Sequence, residues 1–368
     1  MKVISLFCGC GGLDRGFEDA GFDVVWANDN DKNITETYKY NHPNTLLRTG
    51  DISKIKSSEI PDDIIGLIGG PPCQSWSAAG NGLGIKDPRG KLFYEYIRIL
   101  KDKQPHFFLA ENVKGILSKR HAKSLKKILK EFDKAGYNTS INLINTSDYG
   151  VPQNRERVII VGYHKKKFKC KFQIPTSLKT RRNIYDALSD LNEQPIYSSK
   201  NLSQPKLCRI PNHEYWFGGY SYIFMSRNRV LSWDSPSYTI QASGRQTSIH
   251  PQAPKMEKVE KDIMEFKKGY EHLYRRLSVR ECARLQTFND DFIFLYKNLN
   301  VGYKMIGNAV PVELARILAE KIKSDCCKPQ NEDLQKVYFN FPLPKKESRI
   351  NLKQDQTRSL TVNNIIRN

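Results

Sequence analysis

No apolar run in this 368-residue chain approaches the length needed to cross a bilayer, which argues against a membrane-spanning helix. The eight cysteines are Cys8, Cys10, Cys73, Cys170, Cys208, Cys282, Cys326 and Cys327. They contain no CxxC pair and no repeated spacing, so neither a zinc site nor a disulfide framework is suggested. Such unpatterned cysteines fit a reducing compartment. Acidic residues are scarce: 39 Asp+Glu stand against 59 Lys+Arg, a formal charge of +20. That surplus suits a polyanion, since each phosphate neutralised releases counterions. A lysine-rich solvated surface would give the same count. Met1 to Phe7 is too short for a secretory signal. There is no internal repeat. The expectation is a soluble, cytoplasmic protein without a metal.

Short apolar runs alternating with helical patterns fill the first part. Val3 to Phe7, Val24 to Ala27, Ile64 to Ile68, His106 to Ala110 and Val158 to Val161 read as strands. Leu13 to Ala20, Leu92 to Leu100 and Ala122 to Ala135 read as helices. This alternation predicts an α/β fold with a doubly wound parallel sheet. Residues 1–175 form its main part. Residues 176–277 are irregular and rich in Ser, Asn, Pro and Tyr, as in a separate, smaller, loop-rich domain. Helical periodicity returns in residues 278–327, from Val279 to Leu285 and from Val312 to Ile322. Residues 328–368 read as a polar, poorly ordered tail.

The most informative tetrapeptide is Pro71-Pro72-Cys73-Gln74. It follows an apolar strand that ends at Gly69-Gly70. Each proline fixes its own φ, so Cys73 sits on a stiff support. In an open α/β sheet the strands' carboxyl ends are where ligands bind. Glu111-Asn112-Val113 follows the strand His106 to Ala110 and brings a carboxyl group to the same edge. Gln153-Asn154-Arg155-Glu156-Arg157 precedes the next strand. In an extended segment Arg155 and Arg157 share a face. One edge could thus carry a thiol, a carboxylic acid and two guanidiniums.

At the other end of the edge, Phe7-Cys8-Gly9-Cys10-Gly11-Gly12 separates the first strand from the first helix. Glycines there let backbone approach a ligand. The spacing departs from G-x-G-x-x-G, the pattern that holds a pyrophosphate. Asp29 and Asp31 follow the second strand, where a carboxylate can bind ribose hydroxyls. Asp51 falls where a third strand would end, placed for an adenine amino group. Each acid alone would pass for a surface turn residue. Together they describe a nucleoside site without a diphosphate, which suits S-adenosylmethionine better than a nicotinamide dinucleotide.

Taken in order, these segments resemble the motifs of bacterial DNA (cytosine-5-)-methyltransferases of type II restriction–modification systems. The resemblance runs from Val3 to Ile322 and includes Arg280-Glu281-Cys282-Ala283-Arg284-Leu285-Gln286 and Gly307-Asn308-Ala309-Val310-Pro311. Two departures are Cys8, where the family more often has Ser or Ala, and the long tail. The resemblance implies a Rossmann-like S-adenosylmethionine-dependent domain with a target-recognition domain. It implies Cys73 as nucleophile, Glu111 as the acid at cytosine N3, Arg157 on the cytosine O2, and Arg155 supporting that pocket or neutralising Glu111. It further implies Phe7, Gly11, Gly12, Asp29, Asp51, Ile52, Pro71, Leu92, Asn308 and Val310 around the cofactor. Asn308 is almost at the far end of the chain from Phe7, so the last helix must fold back beside the first strand.

Base chemistry inside a duplex requires extrusion of the target nucleotide. Residues Ser75 to Gly84 are expected to close over it. In the irregular region Arg227, Arg229 and Arg245 are candidates for reading guanine, the commonest specific base contact, although each could serve phosphate or a carboxylate instead. Phe224 to Val230, Gln241 to Gln246, His250 to Pro254 and Tyr274-Arg275-Arg276 resemble the GGCC-specific subgroup. The expected partners are double-stranded DNA and a separate restriction endonuclease, with the protein itself a monomer. An RNA cytosine methyltransferase, a non-catalytic DNA-binding regulator and a nicotinamide-dependent oxidoreductase are the rival readings.

Overall fold

The computed structural model describes residues 1–72, 88–198 and 200–327, with the backbone alone for 88–91. Seven strands make one sheet. In chain order, β1 (Lys2–Leu6), α1 (Gly12–Asp19), β2 (Asp23–Asp29), α2 (Thr35–Asn41) and β3 (Leu46–Thr49) come first. Then follow β4 (Gly66–Gly69), α3 (Pro88–Lys103), β5 (Phe107–Val113), α4 (Ala122–Lys134), β6 (Tyr137–Asn145) and β7 (Glu156–His164). The spatial order is β3-β2-β1-β4-β5-β7-β6.

The first five strands of that order are parallel, but β7 runs antiparallel to both β5 and β6. The wholly parallel sheet expected from the sequence is therefore corrected to a mixed one. Residues 146–155, which join β6 to β7, hold one short helical turn, Thr146–Tyr149, closed by Gly150 at φ 79°. A parallel crossover needs a dozen or more residues and usually a helix, so β7 can only turn back.

Alternation along the strands divides the core. In β5, Phe107 and Leu109 face a cluster with Leu13, Phe17, Leu314 and Leu318, whereas Phe108 and Ala110 face Phe93, Tyr96, Ile128 and Phe132. Each fully buried large side chain contributes about 1.5–3 kcal/mol. Helices thus cover both faces, which is the doubly wound arrangement. On the first face α1 packs along α9 (Val312–Cys327), bringing the two extremities of the described chain together.

Between these parts lie short elements: α5 (Tyr185–Leu188), β8 (Ile196–Ser198), β9 (Glu214–Trp216), α6 (Tyr222–Met225), β10 (Glu257–Glu260) and β11 (Ile263–Glu265). A small cluster of Phe224, Val230, Ile249, Ala253, Met256 and Tyr274 forms their own core. The elements α7 (Val279–Leu285) and α8 (Leu299–Asn308) share a third cluster with Ile34 and Tyr38. Among the described residues no helix is long and apolar enough to cross a membrane.

Candidate active site

The parallel strands end side by side, with Leu6 beside both Asn28 and Gly69, Asp29 beside Thr49, and Gly69 beside Ala110. At β5 the side chain of Glu111 lies 2.8 Å from Nε of Arg157 on β7, and both side chains are only about one-eighth exposed (12% and 13%). Charge-assisted pairing of this kind fixes a carboxylate's direction as well as its energy. Gly70 leaves room above the acid: a Cβ there would sit 3.6 Å from Glu111 Oε2. The buried Asn112 amide donates to the Pro71 carbonyl at 3.1 Å and so ties the β4 loop to β5. That tie carries Pro71 and Pro72 to the edge occupied by Glu111. Sequence reasoning gave Asn112 no role, although it adjoins the acid. Cys73, and the Ser75 to Gly84 segment expected to close over a base, lie outside the described residues.

The two arginines divide their work. Arg155 is 2% exposed, and its guanidinium donates to the carbonyls of Gly307 (2.9 Å), Ala309 (3.1 Å) and Ile240 (3.5 Å). It therefore clamps the loop after α8 to the irregular region, and Glu111 is paired by Arg157 instead. The reason is position: Arg155 precedes β7, and its own backbone amide is held by donating to Asn145 Oδ1 at 2.9 Å.

Other thiols near this edge are poor nucleophiles. Burial pushes the thiol of Cys8 well up and that of Cys10 up to about 12, far from the thiolate that reacts.

At the β1–β2–β3 end, the Phe7 backbone takes φ 56°, rare for a residue with a side chain and common at ligand-holding turns. Gly9 donates to Asp29 Oδ2 at 2.8 Å, and Asp31 donates to Oδ1 at 2.8 Å. Burial raises the Asp29 pKa while these backbone bonds oppose it. Asp51 accepts from the Ser53 amide at 3.0 Å, which holds its carboxyl below the usual range. Asp31 is turned aside to Lys304 at 2.7 Å. Ile52 and Pro71 are buried, Leu92 is half-buried and Asn308 is exposed. A Cβ on Gly12 would stand 2.5 Å from the Val310 carbonyl, so the glycine allows the C-terminal segment to meet the first loop. The return of the chain expected from Asn308 is thus present.

The residues fit a nucleoside-bearing ligand. A Cβ at Gly9 would meet nothing within 4 Å, and the Asp29 carboxylate beside it keeps acceptor capacity beyond its two backbone donors. No basic side chain lies among Phe7 to Gly12 to receive a diphosphate.

In the irregular region Arg229 is engaged by its own loop. It donates to the carbonyls of Phe224 and Ile223, both at 2.8 Å, and stacks 4.9 Å from the Phe224 ring. Arg227 and Arg245 are exposed. A polar knot that sequence reasoning missed supports this region. The buried Glu281 carboxylate accepts two bonds from Arg275 (2.8 and 2.7 Å), takes the Ser278 amide at 2.7 Å, and lies 3.6 Å from His250. Burial raises its pKa, but Arg275 and the histidines overcome that and hold it down at about 2. A signal was available: Ser278 and Glu281 have capping-box spacing.

The family model for C-5 cytosine-specific DNA methylases matches residues 1–324. The chain is 55% identical over 346 residues to the type II methyltransferase M.FnuDI of Fusobacterium nucleatum, covering 92% of this chain and all of that one. It is 52% identical over 328 residues to the type II methyltransferase M.NgoPII of Neisseria gonorrhoeae, covering 88% of this chain and 95% of the other. Among solved structures, the Entamoeba histolytica methyltransferase EhMeth superposes with a TM-score of 0.68 at 18% identity, over 89% of this chain and 99% of that one. This last likeness shows the fold.

Proposed function

Because the chain belongs to the C-5 cytosine-specific DNA methylase family and is a DNA cytosine methyltransferase, we propose that it methylates C5 of a cytosine flipped out of double-stranded DNA, within GGCC, with S-adenosylmethionine as methyl donor. The observation that carries the reading is the Glu111–Arg157 pair at the edge to which Asn112 ties the Pro71 loop.

Cytosine C5 belongs to an electron-poor ring and attacks nothing unaided. Addition of the Cys73 sulfur to C6 turns the ring into an enamine, splitting one hard step into easier ones. Glu111 would hydrogen-bond N3 and the exocyclic amine, giving or sharing a proton as C6 is attacked. Arg157, which orients that carboxyl, would also hold O2. Arg155 would keep the loop after α8 in place for the cofactor side. When bound, S-adenosylmethionine supplies the electrophilic methyl group. Asp29 would take its ribose and Asp51 with Ile52 its adenine, with Phe7 stacked on the base. Gly11 and Gly12 would face the methionine part, and Pro71, Leu92, Asn308 and Val310 would close the pocket. Loss of the C5 proton and elimination of the thiol then free 5-methylcytosine. Burial of Cys8 and Cys10 supports the assignment of the nucleophile to Cys73.

Extrusion of the base follows from the need to reach both ring faces. Arg227 and Arg245 are proposed to read guanines, and the likeness of their segments to the GGCC-specific subgroup supports that site. The division into residues 1–175, 176–277 and 278–327, a monomeric state, a cytoplasmic location and a paired endonuclease belong to the same reading. Bisulfite sequencing of DNA from cells expressing the protein tests it. Converted cytosines throughout GGCC sites would overturn the site. Converted cytosines everywhere would overturn the chemistry.

A further inference from the structure

Behind the glycine loop lies a buried group of polar side chains that the chemistry above does not use. The His42 side chain is fully buried. Its Nδ1 faces the Glu18 carboxylate at 2.9 and 3.1 Å. One ring face stacks on Tyr38 with centroids 4.5 Å apart, and an edge meets Phe292. Tyr38 donates in turn to Asp14 at 2.5 Å, and Ser5 donates to the other Asp14 oxygen at 2.6 Å. Strand β1 and helices α1 and α2 are thereby joined through side chains under one turn of backbone.

That turn is Gly11. Its φ is 94°, and a Cβ there would come within 2.1 Å of His42 Nε2. No other described glycine with a left-handed φ is pressed so closely by a ring. Gly11 also accepts the Arg15 amide at 2.8 Å, which starts α1. The first amides of a helix have no intrahelical acceptor, and they are the groups that can meet an anionic ligand. Where the His42 ring stands therefore decides where those amides point. His42 Nε2 has no hydrogen-bond partner among the described residues, although it is buried. A phenyl ring would fill this space without that cost, so the retained nitrogen calls for a reason beyond packing.

We propose that His42, held by Glu18 and Tyr38, is a positioning residue for the methyl-donor site: its ring is the seat that fixes the Gly11 turn, and the affinity for the donor depends on it. The inference rests on the reading of the glycine loop as the cofactor site. It assigns to His42 no contact with the reacting atoms. Loss of the ring would leave a void behind Gly11 and let the first turn of α1 settle into it.

The test is a thermodynamic cycle on the full chain, read by calorimetric titration with S-adenosylhomocysteine. His42→Ala should weaken binding by about tenfold while affinity for a cognate duplex stays unchanged. Gly11→Ala should weaken it by more, because the new methyl meets the ring. In the double variant the two losses should fall short of multiplying, since the methyl then escapes the ring and only the strain of the left-handed backbone remains; neighbours that touch couple in this way. Glu18→Gln, on a side chain 29% exposed, spares the core and should cost about threefold. Thermal melting of each variant accompanies the titrations, and if His42→Ala does not fold, Glu18→Gln decides. Unchanged donor affinity in His42→Ala, or in Glu18→Gln where the former does not fold, overturns the seat. So does a Gly11→Ala loss of equal size in both backgrounds. If the unmutated protein itself binds neither S-adenosylhomocysteine nor S-adenosylmethionine, the cofactor reading fails and the seat falls with it.

Discussion

Nε of Arg157 stands 2.8 Å from Oε1 of Glu111, across the antiparallel junction of β5 and β7. The acid at the site is thus aimed by β7, which runs antiparallel to both of its neighbours. Glu111→Gln should lower single-turnover methylation by roughly 10²–10⁴, the usual worth of a general acid, with duplex affinity kept within a few-fold. A loss confined to duplex affinity, with the chemical step intact, would move Glu111 out of the reaction.

Cys73→Ser should remove both methylation and the denaturant-resistant adduct formed with a duplex carrying 5-fluorocytosine. With the methyl donor present, C5 takes the methyl group, and fluorine there cannot leave as a proton does, so the sulfur cannot be eliminated and its bond to C6 persists in the unmutated enzyme. Mass spectrometry of the trapped peptide should find the base on residue 73. An adduct at Cys8 or Cys10 would contradict the burial that holds those thiols protonated.

Arg155→Met should act on stability and on the cofactor side more than on the chemical step. It removes the guanidinium donors from the carbonyls of Gly307 and Ile240, and one of two donors from that of Ala309, which keeps Gln286 Nε2 at 3.3 Å. Buried carbonyls left without partners cost about 1–3 kcal/mol each, and relaxation should bring the total to about 3 kcal/mol in urea denaturation. The KM for the methyl donor should rise, because Asn308 and Val310 flank two of those carbonyls.

The knot around Glu281 makes stability depend on pH. Burial and the nearby Arg275 push the His250 pKa down to about 4, against the pull of Glu281. A histidine with a depressed folded pKa adds stability that is present above about 6.5 and is lost as pH falls toward 4. Denaturation between pH 7 and pH 4 should show a decline of about 3 kcal/mol at its limit from this group. His250→Gln should flatten that portion of the curve; an unchanged slope would place the proton uptake elsewhere.

Arg227 and Arg229 should separate by kind of defect. Arg227→Ala removes an exposed guanidinium and should cost about 1–3 kcal/mol of discrimination at one base pair with the fold intact. Arg229→Ala removes the cap on the Ile223 and Phe224 carbonyls and should loosen α6, weakening binding to every sequence. Competition binding with single-base variants of GGCC distinguishes the two.

The sequence disclosed most of the strands because β1, β2, β4, β5 and β7 are dense in apolar residues buried from both sides. It hid β6, whose run Tyr137–Asn145 holds Asn and Ser at an outer position of the sheet, half-buried for most of its length. It also hid the antiparallel sense of β7, since direction depends on the length of the preceding link and leaves no trace in composition. The positions of Glu111, Asp29 and Gly12 near the strand ends were legible, although β5 and β2 run on to include the first two. The destination of Arg155 was not, because Gly307 lies 152 residues further along the chain. His42 and Glu281 were illegible for the same reason: each is defined by partners on other elements, and only Glu281 advertised one through its helix cap.

The meeting of Gly12 with the Val310 carbonyl bears on biosynthesis. A ribosome making this protein releases the first loop early and its counterpart some three hundred residues later. Until that late stretch emerges, the nascent polypeptide has strands and a half-built cradle but no finished floor. Modification activity therefore cannot arrive before Val310 has been made, and a truncated product ending before it should be inert toward DNA.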